Sequence, residues 1–180
     1  MGLWARIKQR WTTAHEHPPT PSLVMLLLKP HFLDAPMLAR LATRALAQSM
    51  RADDIALRRV AEHWQVFVFD RGELRLAVHN AARRYIDLDQ LQAARPRDPQ
   101  VDQAIHDHLA WLSVDVLSDI PAEKALEAQQ VLGKLAAALA MSDCLAVYAP
   151  ALGQIRLFSE ALRVQLVSDE PMRAFTVEKS

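Results

Sequence analysis

The sequence predicts an α+β domain of two βαββ units, with helices packed on one face of an antiparallel or mixed sheet and an N-terminal amphipathic helix in front. Three observations carry this prediction. Short apolar runs at 23–28 and 109–117 each lead into an Asp-x-Pro, at Asp34/Pro36 and Asp119/Pro121, followed by a helical repeat. Two apolar segments flanking turn residues then follow each helix. The order of elements therefore recurs, as an internal duplication would have it, although Asp and Pro at helix starts are common enough to coincide.

Taken in order, residues 1–11 place Leu3, Trp4, Ile7 and Trp11 on one helical face, with Arg6, Lys8 and Arg10 largely elsewhere. Such a helix packs on its own domain, docks a partner or lies on a membrane surface. Leu3, Trp4, Arg6, Ile7, Arg10 and Trp11 are the partner-binding candidates, because tryptophan and arginine dominate interface energetics. Arg6 stands where a myristoylation signal has Ser or Thr. The prolines of His15-Glu16-His17-Pro18-Pro19-Thr20-Pro21 stiffen the backbone and remove donors, so residues 1–21 read as helix plus linker. Residues 22–180 read as one α+β domain in two halves, about 22–95 and 96–170.

Leu23 to Leu28, closed by Lys29-Pro30, has the length and bounds of a strand buried on both faces. Asp34 offers an N-cap carboxylate with Pro36 in the first turn, and Met37, Leu38, Leu41, Ala45 and Leu46 recur at helical spacing. The stretch from Arg51 to Arg59 is polar, with Asp53-Asp54 as a turn. Residues 64–69 and 73–78 make a hairpin about Asp70-Arg71-Gly72, and Leu74, Leu76 and Val78 alternate with Glu73, Arg75 and Ala77, which predicts one wetter face. Residues 80–99 read as a connector with one helical turn at 88–94. The second half brings a strand at 109–117, a cap at Asp119, a helix over 123–141 and a hairpin of 144–148 with 154–158 about Pro150 and Gly153. Beyond Ser159-Glu160, Leu162 and Leu166 suit a helix, while the Leu162, Val164, Leu166 alternation equally suits a strand.

Composition narrows the function classes. In 180 residues, 21 basic groups balance 21 acidic ones at a pI near 7.1, which removes the counterion-release attraction of a nucleic-acid binder. No apolar run reaches the roughly 18 residues of a membrane span. The single Cys144 excludes an intramolecular disulfide and reads as a buried strand residue suited to a reducing compartment. With no apolar core or cleavage site of a secretory signal near Met1, a cytoplasmic protein is expected.

Tyr85-Ile86-Asp87, the segment from His106 to Val114, the Ala-rich stretch 123–141, Leu145-Ala146-Val147-Tyr148 and Phe158-Ser159-Glu160 together resemble the bacterial family catalogued as domain of unknown function 4261. The likeness covers about residues 22–167, and its motifs are soft hydrophobic patterns. It implies a bacterial origin and carries no activity or functional residue with it.

Among candidate chemistry, His106-Asp107-His108 is the densest group of metal-ligand types, and Asp102 would share a helical face with His106. His106 and His108 share a face only in a strand, however, and a third ligand is lacking, so solvated residues before a strand are the preferred account. His15 and His17 lie in the linker, where nothing holds ligand geometry. Asp115 interrupts an apolar strand; alternation puts it with Ser113 on one face, read as a wet face. His79, with Asn80, and Arg83 and Arg84 would line a pocket or end a strand. No Gly-rich phosphate loop, nucleophile elbow or zinc helix occurs, and neither metal nor cofactor is expected. The reading that fits is a non-catalytic protein-binding module, an adaptor or toxin-neutralising immunity-type protein, whose contact is the Trp helix or an exposed sheet edge; a homo-oligomer is compatible with it. The alternatives are a peripheral membrane protein held weakly by the first helix, and a small metal-dependent hydrolase using His106, His108 and Asp115.

Overall fold

The computed structural model describes residues 21–94 and 98–176. The expected amphipathic helix, with Leu3, Trp4, Arg6, Ile7, Arg10 and Trp11, and the linker up to Thr20 lie outside the described residues. Seven strands form one antiparallel sheet in the order β2-β3-β4-β5-β1-β6-β7. They are β1 (Ser22–Leu27), β2 (Ala56–Ala61), β3 (Trp64–Arg71), β4 (Leu74–Ala81), β5 (Ala110–Val116), β6 (Cys144–Ala149) and β7 (Gln154–Leu157). The helices among the described residues are α1 (Ala35–Leu46), α2 (Leu88–Ala94), α3 (Pro99–Asp107), α4 (Ala125–Leu139) and α5 (Glu160–Leu166).

Local chemistry explains most of these elements. Asp34 caps α1, its carboxylate accepting from the Met37 amide at 2.7 Å, and α1 ends at Ala47 in the left-handed region with φ 51°. Gly72 supplies the positive φ of 58° in the two-residue loop between Arg71 and Leu74. Ser159 caps α5 by accepting from the Leu162 amide, which resolves the ambiguous tail as a helix. Asp119 does not cap the long helix as expected. The chain turns through the 3-10 segment Ala122–Lys124 after Pro121, and Lys124 holds the N-cap position of α4.

The two halves share one sheet through the central β1–β5 pair, in which Met25 lies opposite Leu112 and Leu23 opposite Val114. Each half is a strand, a helix and an antiparallel hairpin, and the first half adds β2. The halves dock by different strands, β4 beside β5 but β6 beside β1. Helices cover both faces of the sheet, a correction to the expected single face. On the first face, Leu23, Met25, Leu112, Val114 and Val147 pack against Leu38 and Ala42 of α1, Leu132 and Leu135 of α4, and Leu162 and Leu166 of α5. On the second, Val24, Leu26, Trp111, Ala146 and Tyr148 pack against Leu91 of α2 and Val101 and Ile105 of α3. The wetter face expected for β4 survives only at Arg75, because the strand is buried from Leu76 to Ala81. Within the first layer, Gly133 lets α4 pass against α5: a Cβ there would collide with the Leu166 carbonyl and lie 2.8 Å from Pro171 Cβ. Among the described residues no helix is long and apolar enough to cross a membrane.

Candidate functional site

The sequence-derived pocket residues separate into two groups, both on the second face. The first is built across three strands. Ser22 on β1 donates to one oxygen of Asp115 at 2.6 Å, and Ser113 on β5 donates to the other at 2.6 Å. His79 on β4 sits opposite Ser113, with Nε2 3.6 Å from Asp115. His79 Nδ1 accepts from the Trp64 indole N–H at 3.1 Å, which leaves the ring proton on Nε2, toward the carboxylate. Asp115 therefore does share a face with Ser113, as alternation dictates, but that face is not wet: Asp115 is 9% exposed, Ser113 0% and His79 1%. Burial pushes the His79 pKa down, against the pull of the Asp115 charge.

The second group lies where β4 ends and β5 begins. His108 is not solvated, contrary to expectation, but fully buried. Its Nδ1 donates to the Ile105 carbonyl at 2.5 Å, and its Nε2 accepts from the Tyr85 amide at 3.0 Å, so the ring clamps the exit of β4 to the end of α3. Burial lowers its pKa as well, favouring the neutral ring these bonds require. His106 instead points into solvent and contacts Asp107 at 3.0 Å. Hydrogen bonds from His106 and Gln103 hold the Asp107 carboxyl below its usual range, with Arg84 adding a smaller pull. Arg83 and Arg84 are exposed. The two groups are joined by an aromatic row: Trp111 stacks on His79 at 6.0 Å and meets Tyr85 edge-on at 5.4 Å.

This arrangement has little catalytic capacity. Both serine hydroxyls are committed to a carboxylate rather than to the imidazole, and the second imidazole nitrogen is held by an indole, so no nucleophile–base pair forms. His106, His108 and Asp115 do not converge, and among the described residues no three His, Cys, Asp or Glu side chains could hold a metal. Cys144 is buried and its thiol is pushed up to about 12 by desolvation, the reverse of an activated nucleophile. The polar cluster is a staple across β1, β5 and β4.

What faces solvent is more informative. Every residue of β2 is exposed, although β2 belongs to the sheet. It pairs with β3 on one side only, from Ala56 opposite Val68 to Arg59 opposite Gln65. The far edge strand, β7, is shorter, and the segment Pro171–Phe175 lies against it, with Arg156 donating to the Ala174 carbonyl at 3.1 Å. A second surface feature is a shallow cleft of about 270 Å³ between α1, α4 and α5, where Arg44, Lys134 and Arg163 surround Ala137, Val164 and Val167. Arg163 is already engaged there, donating to the Ala140 carbonyl at 2.9 Å and lying 5.2 Å from the Phe158 ring centre. No protein-family model, curated protein or solved structure matches the chain, so the geometry itself carries the functional reading.

Proposed function

We propose that the chain is a non-catalytic protein-binding module, of the adaptor or immunity type in the bacterial cytoplasm, which receives an extended partner segment along β2. The observation that supports this is the strand itself. Its six residues are all exposed, and its outer row of backbone donors and acceptors has no strand beside it among the described residues. Such an edge is a template for strand addition, in which main-chain hydrogen bonds supply affinity and alternate side chains supply specificity.

Proline scanning tests the reading. Of two adjacent strand residues only one aims its N–H outward, so either Arg58→Pro or Arg59→Pro blocks the edge while sparing the β2–β3 ladder. A tagged full chain is expected to recover one near-stoichiometric protein from its native extract, and the edge-blocking variant to lose it. Retention by both proline variants, with loss on deleting residues 1–17, would move the contact to Trp4 and Trp11. Liposome flotation of the same truncation tests the membrane-surface alternative for that segment.

A further inference from the structure

We infer that the second face of β3 and β4 is an internal docking site for the N-terminal segment, with Leu3, Trp4, Ile7 and Trp11 seated over Val66, Val68 and Ala77. The site is defined by burial whose cover is not among the described residues. Val66 and Ala77 are 0% exposed and Val68 4%, whereas an antiparallel face with nothing over it meets water. The helices of this face, α2 and α3, pack over β6 and β7 at the other end of the strand order. Among the described residues the apolar side chains packed against the trio are Trp64 and Leu117, which flank it at opposite ends of the strands. The middle of the patch needs a further cover.

Position and chemistry single out the segment before β1. Ser22, Asp115, Ala77 and Val68 stand opposite one another in a single row across β1, β5, β4 and β3, and the Pro21 carbonyl accepts from the Val116 amide at 3.1 Å. The chain therefore enters the sheet on the row that holds two of the three patch residues, three strand spacings or roughly 14 Å from Val68. Residues 12–20 reach roughly 30 Å when extended, and a helix over residues 1–11 is about 16 Å long, so the segment can return across β4 and β3. Its apolar stripe matches an aliphatic patch, while Arg6, Lys8 and Arg10 stay largely on its outer side. The same cover accounts for the dryness of Ser113 and Asp115, which stand on this face. Docked in this way, Trp4 and Trp11 belong to the core of the domain and are withheld from a lipid surface or another protein.

The test is a nuclear Overhauser experiment on the full chain with isotope-labelled valine methyl groups. The methyls of Val66 and Val68 are expected to show contacts to indole ring protons that disappear in W4L/W11L, a variant that keeps the stripe apolar and so leaves docking and folding intact. In W4E/W11E the same methyl signals should move to the positions they hold in a chain lacking residues 1–17. Contacts that survive W4L/W11L unchanged, and so come from Trp64 and Trp111 alone, would overturn the inference and leave the face to a partner protein. Methyl signals that stay in place in W4E/W11E would overturn it as well. Contacts that arise only between labelled and unlabelled copies in a mixed sample would overturn it in favour of a second chain.

Discussion

Ser22 and Asp115 lie 93 positions apart and are joined by a hydrogen bond of 2.6 Å at the point where the chain enters the sheet. Ser113 and His79 complete the staple, so one carboxylate ties β1, β5 and β4 together. Removing that carboxylate leaves the buried Ser113 hydroxyl and His79 imidazole and the half-buried Ser22 hydroxyl without it, whereas removing one hydroxyl leaves the other bond in place. Asp115→Ala should therefore lower unfolding free energy by about 3 kcal/mol and Ser22→Ala by about 1 kcal/mol. Urea unfolding of the two variants decides it: equal effects would mean that the carboxylate is not the hub.

Both buried histidines have folded-state pKa values below the ordinary 6.5, chiefly through desolvation. The unfolded chain then binds more protons than the folded one, so their contribution is fully present above about pH 6.5 and is lost as pH falls toward the folded values. Melting temperature should drop between pH 7 and pH 5, before the carboxylates held low, such as Asp143 beside His31, begin to titrate. His108→Gln, which keeps a donor and an acceptor, should flatten part of that slope; an unchanged profile would show that His108 titrates normally.

Gly133→Ala tests the contact between α4 and α5. Alanine is the better helix former by about 1 kcal/mol, yet its methyl group would strike the Leu166 carbonyl and crowd Pro171. We expect a net loss of about 1–3 kcal/mol, read from thermal unfolding. A stabilised variant would mean that α5 moves aside freely.

Ala47 holds a left-handed conformation, φ 51°, that costs a residue with a Cβ about 1 kcal/mol relative to glycine. Ala47→Gly should raise stability by about that amount, and a calorimetric scan showing no gain would place the end of α1 elsewhere.

Cys144 should resist alkylation in the folded protein, since its thiol is buried and pushed up to about 12. Labelling kinetics at pH 8 should show reaction only after denaturant is added. Native labelling at the rate of an exposed thiol would contradict the burial.

Much of the sheet was legible because burial writes a period into the chain. The apolar runs at Leu23 and Leu109 became β1 and β5, and Gly72 and Gly153 marked the hairpin turns. β2 is not legible because every residue of Ala56-Leu57-Arg58-Arg59-Val60-Ala61 stays exposed, and a strand with no fully buried side has no alternation to read. α3 was missed although Asp98 caps it and Pro99 opens it, signals that the polar connector concealed. Asp115 illustrates a subtler limit. Alternation assigned its face correctly, but whether that face meets water depends on what packs over it from distant parts of the chain.

The order of strands has a consequence for synthesis. Among the described residues β1 is the first strand made, yet its sheet partners are β5 and β6, which begin at Ala110 and Cys144. Until those segments leave the ribosome, β1 is a hydrophobic ribbon open along both edges, and closing it requires loops of high entropic cost. The hairpin β3–β4 can form early and alone, but the first half cannot finish without the second. A ribosome stall before Ala149 should therefore leave a chain that chaperones hold, and completion of β6 marks the point at which the nascent protein can let go.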